Sequence, residues 1–383
     1  MRGVVARRLL LSHQPLNEEV RMKRVLFLIL FFFALSSHAQ AKPNILCQIQ
    51  DLSDTTDIRL AEIGQRYSHC LTAYADPAMQ TKLKAENPTL LVDFFLNPHF
   101  YWADRPEWYL KLADGSPVMY EGQHVYDLRI PEFQDFYAAE IAGLLTSGLM
   151  DRVFLDTMEE KVIFTGPLGE MPVDYSPNAW AYAQYQFFDK VNVATGGKVC
   201  TNSSSRVPGS LDSGNHGFRY FSTCQSIEAY SKFMAYDTSE WTKYWYLEQT
   251  ILTDVANANG KDMFIEVTGD ATNIESRLFA LSSFLLVQED NTHFYFRDSA
   301  PGNETNLLWY PEQDAPIGDP VGVYGTDWTQ GNYFRIFTGG KVFVNGLNFP
   351  ITVDTTGYKN WDGTPVANPM TMPPFSGRIL IHE

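Results

Sequence analysis

Short apolar runs alternate with longer segments of helical periodicity along most of the chain. Apolar runs of about four to eight residues are typical of buried strands, whereas apolar positions three or four residues apart are typical of helices. The pattern predicts eight strands, at 44–49, 70–74, 89–96, 152–156, 198–202, 226–230, 263–268 and 293–297. It predicts helices between them, over 58–67, 78–86, 131–147, from 176, over 238–257 and over 274–288. Such alternation indicates β/α units and a parallel sheet.

The predicted fold class is α/β, a (β/α)₈ TIM barrel with a small C-terminal β extension. All eight strands fall between residues 44 and 298, close to the ~250 residues that such barrels use. Beyond them, residues 331–353 alternate as strands do, with turns at Gly339-Gly340 and Asn345-Gly346, which favours β-hairpins. We therefore expect a barrel over 42–300 and a hairpin extension over 301–383 that packs on it.

The first 41 residues are expected to lie outside the folded domain. From Met22 a basic start is followed by an apolar run over 25–35 and then by Ala39-Gln40-Ala41, as in a secretory signal that is cleaved after Ala41. No later run approaches the ~18 apolar residues of a spanning helix. The sequence thus predicts a secreted or periplasmic protein without membrane insertion.

Acidic side chains dominate the chain that follows residue 41, where 43 acidic and 23 basic groups give a net charge of −20. Such a surface repels phosphate backbones and anionic lipids, so we expect no nucleic-acid partner. The chain is expected to be a monomer.

Cysteine and histidine usage gives little support for a metal site. There is no Cys-x-x-Cys, His-x-His or His-Glu-x-x-His, so neither a metal nor a cofactor is expected. The four cysteines, Cys47, Cys70, Cys200 and Cys224, lie in or beside predicted strands. Export permits disulfides, but buried thiols are the favoured interpretation.

The candidate chemistry lies where the strands end, because barrels of this type build their sites from the carboxyl ends of their strands. Polar residues there are mostly acidic: Asp76, Asp93, Asp156, Asn202, Glu228, Glu266 and Asp298. Most glycosidases use two carboxyl groups that flank the scissile bond. Asp156 on the fourth strand and Glu228 on the sixth would face each other across the mouth, Asp156 as nucleophile or base and Glu228 as acid.

Each of these two residues also has a structural interpretation. Asp156 follows the apolar run Val153-Phe154-Leu155, yet it could instead cap the next loop through backbone N–H groups. Glu228 has apolar and aromatic neighbours that would raise its pKa and suit an acid, yet it could instead pair with Arg219.

The candidate substrate-binding residues have alternatives as well. Asn202 could bind a sugar hydroxyl or form a turn, and the turn is favoured. Glu266 and Asp298 could orient substrate or pair with Arg297 or Arg277, and pairing is favoured. Asp93, within an apolar strand, requires a partner or a function. Stacking on sugar and ordinary loop packing are equally open for Tyr74, Trp102 and Trp108.

The order of residues over 148–156, with Gly148 before a turn and then Arg-Val-Phe-Leu-Asp, resembles the fourth-strand motif of TIM-barrel glycoside hydrolases. Further stretches resemble the hypothetical glycosyl-hydrolase-like family numbered fifteen over nearly the whole chain after residue 41. These stretches are 108–115, 126–132 and, near the C-terminus, 318–320 and 331–345.

That family is similar to endo-α-1,4-polygalactosaminidases, whose paired acids end strands four and six, and the resemblance implies Asp156 and Glu228 for the pair. Asp127, in the second stretch, joins the substrate-binding candidates. Arg152 departs from the motif where glycine is usual, at the base of the strand, which bears on packing. The expected function is hydrolysis of a polysaccharide or oligosaccharide. The alternative is a barrel that binds glycans without turnover.

Overall fold

The computed structural model describes residues 43–49, 56–73, 76–100, 104–148, 150–158, 164–202, 226–230, 262–298, 309–327 and 332–383. All of them belong to one unit of the chain, residues 42–383. The predicted helix over 238–257 lies outside the described residues.

An eight-stranded sheet forms the centre of this unit. Its strands are β1 (Leu46–Ile49), β2 (His69–Thr72), β3 (Leu91–Leu96), β6 (Arg152–Leu155), β7 (Val199–Asn202), β8 (Ser226–Tyr230), β9 (Asp262–Gly269) and β10 (Thr292–Asp298). Neighbours in this order pair in parallel throughout. The eight predicted strands are confirmed within a few residues at each end.

Helices connect the strands where the described chain allows them to be followed. They are α1 (Asp57–Arg66), α2 (Pro77–Glu86), α3 (Pro131–Thr146), α4 (Pro177–Ala194) and α5 (Ile274–Val287). Side chains cap three of their N-termini: Thr56 accepts from the Arg59 N–H, Asp76 from Ala78, and Asn273 from Glu275 and Ser276. Proline in the first turn begins the other two, where no N–H partner is lost.

The parallel sheet curls around side chains from one of its faces. Leu71, Phe95, Phe154, Cys200, Phe264 and Tyr295 pack together as an inner cluster although they come from six different strands. His69 on β2 stacks edge-on against Phe264 on β9, with ring centroids 4.4 Å apart. A parallel bridge between Ile45 and Phe294 joins the beginning of the first strand to the last. A flat sheet would hold these residues far apart, at about 4.8 Å per strand.

Cysteines contribute to this packing. Cys47, Cys70 and Cys200 are buried thiols, in agreement with the favoured interpretation of the sequence. Cys224 lies outside the described residues.

A long insertion follows β3. It contains a 3₁₀ turn (Pro106–Trp108) and a small hairpin formed by β4 (Met119–Tyr120) and β5 (Gln123–His124). Leu110, Val118 and Val125 from this insertion pack with Phe164 and Trp180. The insertion therefore has its own small apolar core, beside the loop that follows β6.

The C-terminal part is an antiparallel sheet with the order β11-β12-β13-β17-β15. Its strands are β11 (Gly325–Asp327), β12 (Asn332–Phe337), β13 (Gly340–Asn345), β15 (Tyr358–Asn360) and β17 (Ser376–His382), and β14 (Ile351–Val353) pairs separately with β16 (Met370–Met372). A 3₁₀ turn (Pro311–Asp314) precedes them. Val342, Val344 and Ile379 pack with α5 in the main core, so this sheet lies against the unit that the eight strands form.

Within the described ranges, no helix combines the length and the apolar character that a membrane crossing requires.

Candidate functional site

The two candidate catalytic residues lie in one row of the parallel sheet. Leu155, the last residue of β6, is the register partner of Thr201, and Asn202 is the register partner of Glu228. Asp156 follows Leu155 directly, so Asp156, Asn202 and Glu228 occupy the same level on three successive strands. At about 4.8 Å per strand, the backbones of Asp156 and Glu228 are about 10 Å apart.

On β6 and β7 this row lies one step beyond the inner cluster, and at β8 it meets the level of the cluster. Side chains alternate between the faces of a strand, and Phe154 and Cys200 of the inner cluster come two residues before Asp156 and Asn202. Glu228 is the register partner of Phe264, another member of that cluster. The row is therefore displaced from the sheet's centre toward the carboxyl ends of β6 and β7.

Asp156 is half-buried and held by its own backbone surroundings. Its N–H donates to the Leu96 carbonyl at 2.8 Å, which extends the pairing of β3 with β6 past the last strand residue. Its Oδ1 accepts the Thr157 N–H at 2.7 Å. A bond from the carboxylate to a following backbone N–H is what the capping interpretation predicts. Asp156 therefore makes a structural contact and is also an acid of the row.

Aromatic rings pack together in the segments that follow β3 and β6. Phe100 comes after β3 and Phe164 after β6, and Tyr120 from the β4–β5 hairpin packs on both, with ring centroids 5.7 and 5.4 Å away. Tyr120 is 44% exposed. Tyr74 and Trp102, which the sequence predicts as stacking platforms, lie outside the described residues.

Glu266 forms the ion pair that the sequence favours. It is buried on β9, and Arg297 Nη1 of the adjacent β10 lies 3.2 Å from its Oε1. Burial, and then the charge of Glu266, raise the pKa of the neighbouring Tyr295 phenol well above its usual range. Tyr295 therefore stays protonated at any ordinary pH.

Asp298 and Asp127 both accept bonds from nearby backbone. Asp298 is buried at the end of β10 and accepts the Ala271 N–H at 3.4 Å, while Arg277 forms its ion pair with Glu312 at 2.6 Å. Asp127 accepts the Arg129 N–H at 2.9 Å, and the Arg129 guanidinium binds both of its oxygens at 2.8 Å. This fork fixes the turn that enters α3, a role that the sequence did not reveal.

Asp93 has internal partners, which is one of the two alternatives that the sequence leaves open for it. Its side chain has no exposed surface, so the other alternative, a contact with substrate, does not apply. Arg152 Nε donates to its Oδ1 at 2.9 Å, and His69 Nε2 lies 2.9 Å from its Oδ2. Burial opposes ionisation, but Arg152 and His69 outweigh it and hold the pKa of the Asp93 carboxyl below its usual range.

The network around Asp93 lies at the beginning of β6, away from the row. Arg152 also pairs with Asp262 at the beginning of β9, and its Nη2 is 3.1 Å from the His69 ring. Asp93 and Arg152 are register partners, which the sequence could not show because 58 residues separate them. The arginine that departs from the family motif is thus a buried partner for the acid of the third strand.

Metal ligands are not gathered at this site or elsewhere in the described ranges, where no group of three His, Cys, Asp or Glu side chains could hold an ion.

Two polar residues beside Asp156 were missed in the sequence. Asn97, the first residue after β3, donates from Nδ2 to Thr157 Oγ1 at 2.7 Å, and Thr157 has a left-handed backbone with φ +60°. The only sequence signal was an asparagine directly after a predicted strand.

Comparison with known proteins bears on the fold and the family of the chain. No curated protein matches the chain. Among solved structures, the noncanonic maltogenic α-amylase of Thermotoga neapolitana is similar at 9% identity and a TM-score of 0.53, covering 88% of this chain and 96% of its own. Likeness at this identity shows a shared fold alone.

A GH36 α-galactosidase of Geobacillus stearothermophilus is also similar, at 9% identity and a TM-score of 0.46 over 89% of this chain. The chain spans only 56% of that structure's length. The family model described as hypothetical glycosyl hydrolase family 15 matches residues 73–341, well over half of the chain. The chain therefore belongs to hypothetical glycosyl hydrolase family 15.

Proposed function

We propose that this protein is a glycoside hydrolase whose eight parallel strands close into a (β/α)₈ barrel, with Asp156 and Glu228 as its catalytic carboxyl pair. The observation that carries the proposal is the shared row of Asp156, Asn202 and Glu228 on three successive strands. Membership of a glycosyl hydrolase family supports the reaction class.

The spacing of the pair suits cleavage of a glycosidic bond. Glycosidases keep their two carboxyl groups about 5 to 10 Å apart, one donating a proton to the leaving oxygen and the other acting as nucleophile or base. Backbones about 10 Å apart on one face of a parallel sheet leave room for a sugar between the two side chains. Asp156 acts here as nucleophile or base, and Glu228 as the acid.

A sugar polymer is the substrate class that the surroundings of the row favour. Tyr120 offers a partly exposed ring on top of Phe100 and Phe164, and aromatic faces pack well against the apolar faces of sugar rings. The strongly acidic chain disfavours anionic polymers. We therefore propose a neutral or cationic polysaccharide or oligosaccharide as substrate.

Export is part of the proposal. The segment 22–41 has the features of a cleaved secretory signal, so the exported protein should begin at Lys42. Mass spectrometry of the protein recovered outside the cytoplasm tests this, and retention of residues 22–41 there would contradict it.

The test of the reaction is turnover of a panel of hexose and hexosamine polymers, measured as reducing ends released. Asp156→Asn and Glu228→Gln preserve shape and remove one charge each. We expect each to lower turnover by roughly 10³-fold or more, as loss of a catalytic group commonly does. Thermal melts should remain close to those of the wild type.

Asp189→Asn is the matched control, since Asp189 is an exposed acid on α4 and its loss should leave turnover unchanged. Wild-type turnover in either carboxyl variant would remove that residue from the mechanism. Binding of glycans without any turnover by the wild type would instead identify a glycan-binding barrel.

A further inference from the structure

Thr157, the residue after Asp156, has an unusual backbone. Its φ is +60°, in the left-handed region. Four non-glycine residues in the described part of the chain have positive φ: Glu121, Thr157, Asp174 and Phe375. Thr157 is the β-branched member of this group, and a branched Cβ makes that conformation particularly unfavourable. Such conformations persist only where surrounding contacts impose them, and they concentrate at functional sites.

Asn97 supplies the contact that holds Thr157. Its Nδ2 donates to Thr157 Oγ1 at 2.7 Å. Its own Oδ1 accepts the His99 N–H at 3.0 Å, which fixes the plane of the amide. The orientation of the Asn97 amide is therefore fixed, and its bond to Thr157 links the end of β3 to the end of β6.

The support behind Asn97 is rigid. The His99 ring is fully enclosed, with Nδ1 3.2 Å from the Tyr126 carbonyl and Nε2 3.2 Å from Gln184 Nε2. It also stacks on Trp180, at 5.8 Å between ring centroids and 6° between planes. The loop that carries Asn97 is thus anchored to α4 and to the insertion after β3.

The bond from Asn97 has a consequence for Asp156, because Thr157 is the next residue. The Thr157 N–H lies in the peptide plane between the two residues and donates to Asp156 Oδ1, 2.7 Å away. A carboxylate bonded to a fixed backbone donor loses rotational freedom, and holding a reacting group in one geometry lowers the barrier to reaction. If Thr157 lost its bond to Asn97, the peptide plane that carries this N–H could rotate about ψ of Asp156, and the N–H would turn away from the carboxylate.

We propose that Asn97 is a positioning residue: through Thr157 Oγ1 it holds the peptide between Asp156 and Thr157, whose N–H orients the Asp156 carboxylate. This inference rests on the proposed function in one respect, the catalytic role of Asp156. Threonine at this strained position supplies the hydroxyl that Asn97 holds, and glycine, which would remove the strain, would also remove that hydroxyl.

Three substitutions test the link by activity. Asn97→Ala and Thr157→Gly should each lower kcat by 10-fold or more with KM within about threefold, since orientation of Asp156 changes while the binding surface does not. Thr157→Ser keeps the hydroxyl and should retain most of the activity. The double variant Asn97→Ala/Thr157→Gly should lose no more than the worse single variant, because both act through one bond.

Melting temperature separates positioning from mere structural support. Thr157→Gly should melt at or above the wild-type temperature, because glycine adopts positive φ without strain, while its kcat falls. Glu121→Gly is the matched control: it relieves a positive φ at the exposed β4–β5 turn and should leave kcat unchanged. A Thr157→Gly variant that melts far lower and loses activity in proportion would overturn the proposal.

Crystal structures of Asn97→Ala and of the wild type provide a readout that needs no substrate. We expect the peptide between Asp156 and Thr157 to rotate in the variant, so that the Thr157 N–H no longer donates to Asp156 Oδ1. An unchanged peptide that keeps this bond would overturn the positioning role, whatever the activity of the variant. If Asp156→Asn is inactive, an Asn97→Ala variant with a moved Asp156 carboxylate and full activity would also overturn the positioning role. Activity in Asp156→Asn would instead refute the proposed function.

Discussion

At the scale of single residues, three buried histidines in the described part of the chain determine how the stability of the fold responds to acid. Burial lowers the pKa of His69, His99 and His293, in His99 to about 4. His69 faces Asp93 and Arg152, and its ring centroid lies 5.2 Å from that of His293. Asp93 favours protonation of His69, but burial and Arg152 prevail. All three rings are therefore neutral in the folded protein at neutral pH.

These rings make the fold sensitive to mild acid. In the unfolded chain each histidine takes up a proton below its ordinary pKa of about 6.5, while the folded protein resists protonation, so stability is lost as pH falls through that value. We expect the free energy of unfolding in urea to drop between pH 7.5 and 5.5. Each ring can contribute up to about 1.4 kcal/mol per pH unit below 6.5.

The exposed His382 provides the control for this pH dependence, since His382→Gln should leave the slope unchanged. A free energy of unfolding that stays constant from pH 7.5 to 5.5 would contradict the neutral state of the buried rings. Below about pH 4 the loss should continue, because Asp93 then gains a proton in the unfolded chain while its folded pKa lies lower.

Among elements, α5 has a particular role because it touches both sheets. Leu278, Phe284 and Leu285 are buried in the same core as Val342 and Ile379 of the C-terminal sheet. Gly377 on β17 allows the closest approach: a Cβ there would lie 2.6 Å from the Leu278 carbonyl oxygen and 2.7 Å from Ser282 Cβ. The missing side chain at Gly377 therefore sets how near β17 can come to α5.

Gly377→Ala should destabilise the protein by about 1–3 kcal/mol, the usual cost of overpacking a dense core. Gly143→Ala is the matched control, because Gly143 is exposed in α3 with nothing within 4 Å of an added Cβ. That variant should gain about 0.5–1 kcal/mol from helix propensity. Urea unfolding measures both, and equal stability of Gly377→Ala and the wild type would show that β17 can retreat from α5.

The elements were largely predictable from sequence, and the reasons are physical. Buried parallel strands contain short apolar runs such as Val153-Phe154-Leu155 and Met263-Phe264-Ile265, because both faces of the sheet are covered. The short strands β11, β15 and β16 carry only three residues each, too few to produce a period. They exist because neighbouring strands pair with them, which no local pattern records.

The roles of individual acids were less predictable than the strands that carry them. Asp93 and Asp156 both interrupt or end an apolar run, yet register pairs Asp93 with Arg152 inside the sheet and leaves Asp156 in the row with Asn202 and Glu228. Register between distant segments depends on how the whole sheet assembles. The role of the Thr157 hydroxyl could not be predicted from the sequence for the same reason, since its partner Asn97 lies 60 residues away.

On the scale of the whole molecule, the curled sheet separates two kinds of polar chemistry. A buried charged network of Asp93, Arg152 and Asp262 occupies the beginning of the strands, and on β6 the Phe154 ring of the inner cluster lies between Arg152 and Asp156. The ion pairs of this network link β3, β6 and β9. Under the proposed function the acids of the row face substrate, and this is the central claim for this protein.

Turnover by four proteins tests that claim most directly: wild type, Asp156→Asn, Glu228→Gln and the double variant, each assayed for reducing ends on the best glycan of the panel. Two carboxyl groups that serve one bond fail as a unit, so we expect the double variant to be no less active than the worse single variant. Losses that multiply, wild-type turnover in either single variant, or no turnover of any glycan by the wild type would contradict a catalytic pair at the row.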